Sequence, residues 1–221
     1  MKRLLTENKY FLIPYGLLIL LSSILLFIYS KAELHILLNT WNSRFADLFF
    51  KIITNLGDGL FYLVLLAILL FVNYRLSVIF ALGSIFTNIV VQLFKWFLFT
   101  NIYRPSKYFE LYETYKLHLV DGVRLYSLHS FPSGHTATAF NIFFMLALIS
   151  KNNVVKCICL CIALLTAYSR VYLSQHFLID TVVGSLIGIL GILTSWLLFY
   201  KSKKSWMDKS LLTKRVVRGN N

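Results

Sequence analysis

The stretch Ser169-Arg170-Val171-Tyr172-Leu173-Ser174-Gln175-His176-Phe177-Leu178-Ile179-Asp180 sets a guanidinium, an imidazole and a carboxylate between two long apolar runs. Ionisable groups at a membrane boundary are costly to keep there, which makes each a candidate for function. His176 and Asp180 stand four residues apart, on one helix face and within hydrogen-bonding reach. A carboxylate accepting from one ring nitrogen sets the tautomer and leaves the lone pair of the other free to attack an electrophile.

Other residues of the same chemical kind lie upstream. Pro132-Ser133-Gly134-His135 opens an apolar run. Proline suits a first helical turn, and Gly134 lets a ligand approach the backbone. The free N–H groups and partial positive charge of a helix start suit phosphate. Arg104 and Arg170 each fall where an apolar run meets the polar surface. One such arginine would be a headgroup anchor. Two, with a helix start and two histidines, describe a phosphate site, because the guanidinium fork grips phosphate oxygens in pairs. His135 is then the candidate proton donor, and the two histidines need opposite protonation states.

The elements that must position these groups are membrane spans. The 221 residues are 58% hydrophobic and only 14% charged, with the apolar residues gathered into runs near spanning length. The expected spans are about 11–29, 57–73, 76–99, 132–149, 154–170 and 177–200, followed by a basic, frayed tail at 201–221. Pro14 is expected in the first turn of the first span. Leu34, Leu37, Leu38, Trp41, Phe45, Leu48, Phe49 and Ile52 recur at helical spacing, which predicts one or two helices on the membrane surface or capping the bundle. Asn55-Leu56-Gly57-Asp58-Gly59 reads as a helix break. The expected fold is all-α: a single polytopic membrane domain, a six-transmembrane-helix bundle with short interfacial helices on its outer side.

Charge orients that bundle. Of the 22 lysines and arginines, thirteen fall at the termini and two short turns, eight on the opposite side, and Lys95 within a span. The positive-inside rule places both termini in the cytoplasm. Alternation of spans then brings Arg104, His135, Arg170 and His176 to the outer face. The net charge of +13 is explained the same way, and no nucleic-acid module accompanies it. Cys157, Cys159 and Cys161 sit in one apolar run at spacings that match neither zinc sites nor a disulfide framework.

Lys95…Arg104-Pro105, Pro132-Ser133-Gly134-His135 and Ser169-Arg170…His176…Asp180 together resemble the three-part signature of the type 2 phosphatidic acid phosphatases. The second and third parts are intact. In the first, Phe97 stands where the family places a lysine seven residues before the arginine, and Lys95 is nine before it. The resemblance implies that His176 attacks phosphorus to form a phosphohistidine and that Asp180 orients it. It implies that His135 protonates the leaving oxygen, then activates water. Lys95, Arg104, Ser133, the Gly134 backbone N–H and Arg170 would hold the phosphate, with no metal and no cofactor.

A vanadium haloperoxidase has a similar oxyanion site but is soluble, which six spans oppose. A transporter or scaffold with a vestigial anion site is opposed by the intact chemical set. The expected substrate is a lipid phosphate within the bilayer. Candidates are lipid A phosphates, undecaprenyl pyrophosphate, phosphatidylglycerol phosphate and phosphatidic acid. The small six-span form with an outward site resembles the bacterial lipid A phosphatases, which favours lipid A and a bacterial inner membrane with the site facing the periplasm.

Overall fold

The computed structural model describes residues 2–213, and no strand forms among them. Helices α1 (Lys2–Glu7) and α2 (Lys9–Ile28) open the chain, followed by α3 (Lys31–Asn39), α4 (Arg44–Ile53) and α5 (Gly59–Val72). The long α6 (Tyr74–Leu93) runs on into a π-helical turn at Phe94–Leu98. After it come α7 (Pro105–Tyr112), α8 (Gly134–Ile149), α9 (Asn153–Tyr172) and α10 (Leu178–Phe199). Every expected span corresponds to a helix within a few residues at each end.

Short polar residues mark most helix starts. Ser30 and Glu33 form a reciprocal capping box, Ser43 caps α4, Asp58 caps α5, and Asn73 accepts from Arg75 and Leu76. Ser133 and Asn152 cap α8 and α9. These side chains satisfy backbone donors that a lipid environment could not.

Among the described residues, four helices are long and apolar enough to cross a membrane: Lys9–Ile28, Tyr74–Leu98, Asn153–Tyr172 and Leu178–Phe199. The expected second and fourth spans are shorter. Gly134–Ile149 has 16 residues, and α5 has 14, bent by 50° from the preceding Arg44–Gly57 segment. The helix break anticipated at Asn55–Gly59 is that bend.

The first span differs from expectation. Because α2 begins at Lys9, Pro14 lies in its second turn, inside the helix. Proline there cannot donate to the carbonyl four residues back, that of Tyr10. That carbonyl instead accepts from the Cys157 thiol at 3.6 Å.

Helices α6, α8, α9 and α10 form the centre. Phe140, Phe144, Ile142, Ile79, Phe80 and Ile192 are fully buried between them. Close approach is required at Gly184, where a Cβ would sit 2.5 Å from the Ser133 carbonyl. A small residue there lets α10 lie directly against the start of α8.

Of the two helices at 31–53, α3 caps the bundle. His35 Nε2 lies 3.2 Å from Ser174 Oγ, and Asn39 donates to the Tyr172 carbonyl at 2.9 Å. Helix α4 instead presents Phe45, Leu48 and Ile52 as an exposed apolar stripe. The tail is anchored as far as it is described. Arg75 bonds the carbonyls of Phe199, Tyr200 and Ser202 and pairs with Asp208 at 2.7 Å, a cation satisfying the open end of α10. The expected tail beyond 213 lies outside the described residues.

Candidate active site

Asp180 sits in the first turn of α10, and its Oδ2 is 3.3 Å from His176 Nδ1. The same oxygen accepts from the Ser130 hydroxyl at 2.5 Å and from the Phe177 N–H at 3.0 Å. His176 and Asp180 are each only 1% exposed. The carboxylate is therefore held from three sides. Its own main-chain carbonyl accepts from Ser133 N–H at 2.9 Å, which ties the α10 start to the α8 start.

Arg104 caps α7 and reaches across to the same loop. Its Nε donates to the Leu128 carbonyl at 3.1 Å, and its Nη1 donates to both oxygens of Gln175 at 3.2 Å. Nη1 also lies 3.4 Å from His176 Nε2. Nη1 has two hydrogens to share among these three acceptors. The Asp180 carboxylate beside Nδ1 draws the imidazole proton to that nitrogen, and Nε2 keeps its lone pair facing the donor-only guanidinium. Burial, then the nearby Arg104, Arg170 and Lys95 cations, push His176 well below the usual histidine range, so the ring is neutral.

Arg170, in the last turn of α9, is 6% exposed. Its Nη1 donates to Thr54 Oγ1 at 2.7 Å, while its buried Nε has no partner. A buried guanidinium edge without an acceptor is a place for an anion. Ser133 Oγ accepts from Thr136 Oγ1 at 2.9 Å and from Thr136 N–H at 3.4 Å, which leaves its own proton to give.

Lys95 falls within the π-helical turn, four residues after Val91 on the same face. A Cβ on Gly134 would stand 3.9 Å from Lys95 Nζ. The ammonium also interacts electrostatically with Arg104, Arg170 and Asp180. The structure thus brings Lys95 to the same point as the other cations despite its shifted spacing. His135, one residue into the α8 start, lines the adjoining cleft with Lys95 and makes no side-chain hydrogen bond among the described residues. All eight residues singled out from the sequence converge.

A PAP2 superfamily profile matches residues 60–204. The chain belongs to the PAP2 superfamily. Among solved structures, LpxE from Aquifex aeolicus is similar, at 30% identity and a TM-score of 0.65, over 75% of this chain and 93% of that one. The first transmembrane PAP2-type phosphatidylglycerolphosphate phosphatase from Bacillus subtilis shares the fold at 22% identity and a TM-score of 0.62, over 89% and 99% of the two chains. No curated protein sequence matches significantly. The protein is a membrane lipid phosphatase of the PAP2 superfamily.

Several residues around this PAP2 site escaped the sequence reading. Ser130 grips Asp180, Gln175 holds Arg104, and Thr54 holds Arg170. Gly57 allows backbone contact with His135, since a Cβ would meet the His135 carbonyl at 2.5 Å. The Asp58 carboxylate interacts electrostatically with His135 and Arg170. The signal was there for the last three, because Thr54–Gly59 is a polar, glycine-bearing interruption directly before a span. Among the described residues no cluster of three His, Cys, Asp or Glu side chains is disposed to hold a metal ion.

Proposed function

We propose that the protein hydrolyses a lipid phosphate monoester or pyrophosphate at the outer leaflet through a phosphohistidine. The observation that carries this reading is Asp180 Oδ2 at His176 Nδ1 with the donor-only Arg104 Nη1 on the other side of the ring, which supports a lone pair on Nε2 facing the anion site.

The steps follow from the groups present. Arg104, Arg170, Lys95, the Ser133 hydroxyl and the Gly134 N–H take the phosphate oxygens, and the charge they supply is largest where it develops in the transition state. Arg104 turns from His176 to the phosphate, which frees Nε2. Nε2 attacks phosphorus as the ester P–O bond breaks, and His135 gives the leaving oxygen a proton. Asp180 steadies the positive charge that grows on the His176 ring. Water then attacks the phosphohistidine, His135 takes its proton, and the N–P bond breaks to release inorganic phosphate.

The arrangement also supports six spans, with the shorter α5 and α8 completing the bundle and the α4 stripe lying on the outer membrane surface. Both termini are then cytoplasmic and the site faces the periplasm of a bacterial inner membrane. The sequence resemblance to bacterial lipid A phosphatases and the likeness to LpxE favour lipid A as substrate.

The test is phosphate release from lipid A, phosphatidic acid, phosphatidylglycerol phosphate and undecaprenyl pyrophosphate by purified protein with EDTA present. Release expected from lipid A should vanish in His176→Ala. Turnover retained in that variant, or lost to EDTA and restored by metal, would overturn the mechanism.

A further inference from the structure

A cleft of about 490 Å³ opens beside His135 and Lys95 and continues down the face of α6 past Gln92 and Asn88. Both amides are exposed to it, and both belong to a helix apolar enough to span a membrane. An amide donor at membrane depth is costly unless the cleft it faces supplies an acceptor.

A relay of hydrogen bonds decides which end of each amide faces the cleft. Trp96 Nε1 lies 2.9 Å from Gln92 Oε1. An indole nitrogen can only donate, so Gln92 must turn its oxygen to Trp96 and its amine onward. That amine reaches Asn88 Oδ1 at 3.4 Å. Asn88 is therefore left with its NH2 as the free end, and Nδ2 makes no hydrogen bond among the described residues. The relay converts an indole donor at one end into an amide donor at the other.

Depth identifies the acceptor. Asn88 precedes Lys95 by seven residues, about 10 Å along the helix. The polar zone of one leaflet is roughly 5–8 Å thick, so a lipid whose phosphate sits at Lys95 carries its acyl linkages a few ångström short of the Asn88 level, within the span of the Asn88 side chain. Ester and amide carbonyls are acceptors. A polyprenyl or simple alkyl phosphate offers only hydrocarbon there.

We propose that Asn88 Nδ2, oriented by Trp96 through Gln92, receives an acyl carbonyl of the substrate, so that the enzyme selects lipids with ester- or amide-linked acyl chains. This rests on the lipid phosphatase reading and narrows it. Polyprenyl and simple alkyl monophosphates are thereby disfavoured, whereas lipid A, phosphatidic acid and phosphatidylglycerol phosphate remain.

The experiment measures kcat/KM of the full-length protein in mixed micelles on two classes of phosphate lipid. Lipid A and phosphatidic acid carry acyl carbonyls; undecaprenyl phosphate and hexadecyl phosphate do not. The ratio between the best member of each class is expected to exceed about tenfold in the native protein, the worth of one well-placed hydrogen bond. In Asn88→Leu it should fall towards unity, chiefly through KM on the acylated lipids. Trp96→Phe, which leaves both amides in place but frees them to flip, should lower the ratio part-way and carries the test should the leucine variant not fold. An unchanged ratio in both variants overturns the proposal, as does a native protein that favours undecaprenyl phosphate. Conversion of a dimer to a monomer by Asn88→Leu, seen by light scattering, would assign the relay to a contact between copies and also overturn it. No phosphate from any of the four lipids would instead sink the phosphatase reading itself.

Discussion

Arg104 Nη1 stands 3.4 Å from His176 Nε2, joining residues 72 positions apart in the chain. In the proposed mechanism this contact keeps the His176 lone pair facing the anion site until phosphate displaces it. The guanidinium would then exchange the imidazole for the substrate while Leu128 and Gln175 keep it in place.

Asp180 fixes the proton on Nδ1, and Ser130 and Phe177 N–H fix Asp180. Asp180→Asn should lower kcat on the order of 10²–10⁴ fold with the protein still folded, as loss of an orienting carboxylate does elsewhere. Ser130→Ala should fall well short of that, because two contacts to the carboxylate survive. Single-turnover phosphate release with both variants checks the order.

Thr54 is expected to act on phosphate through Arg170. Thr54→Val, nearly equal in shape, should weaken inhibition by orthovanadate and reduce kcat/KM by about 10-fold or more, whereas Thr54→Ser should restore most of both. Lys95→Met should lose about 10²-fold, since the ammonium sits among the same donors. Near-native activity in Lys95→Met would show that the ammonium's position at Gly134 is incidental.

The pH profile has a definite sign. His176 is held well below the ordinary histidine range by burial and neighbouring cations, so it stays neutral as pH falls through that range. Protonation removes the attacking lone pair, so the enzyme's acid limb in kcat/KM should lie well below 6.5. Arg104→Gln removes one of those cations and should move the limb upward. The substrate's second ionisation, near pH 6, is common to both proteins and cancels in the comparison.

Gly184→Ala would place a methyl 2.5 Å from the Ser133 carbonyl. Backbone must move at the α8 start, displacing the Ser133 and Gly134 donors. Activity is expected to drop more steeply than thermal stability, measured on the same purified sample. The opposite order would show that the helix contact matters only for folding.

Much of this was legible in the chain itself. Hydropathy alone marks the helices that become α2, α6, α9 and α10, because burying some twenty apolar residues in lipid dominates every local preference. His176 and Asp180 are four apart in sequence, but His176 precedes α10, so the two meet across the helix start and not, as expected, on one helix face. Alternation of the expected spans predicts Arg104 and His135 on their side. What needed tertiary structure was of two kinds. Lys95 stands two residues off the family spacing from Arg104, and only the packing of α6 against the start of α8 shows that it and Val91, four residues before it, both flank Gly134. Thr54, Ser130 and Gln175 are ordinary polar residues until Arg170, Asp180 and Arg104 arrive from distant helices. Gln92 and Asn88 are likewise ordinary polar residues in an apolar run, and which amide end is free depends on Trp96 donating to Gln92. Charge and apolar patterns are properties of neighbours in sequence. Hydrogen-bond direction is a property of neighbours in space, which only the folded chain determines.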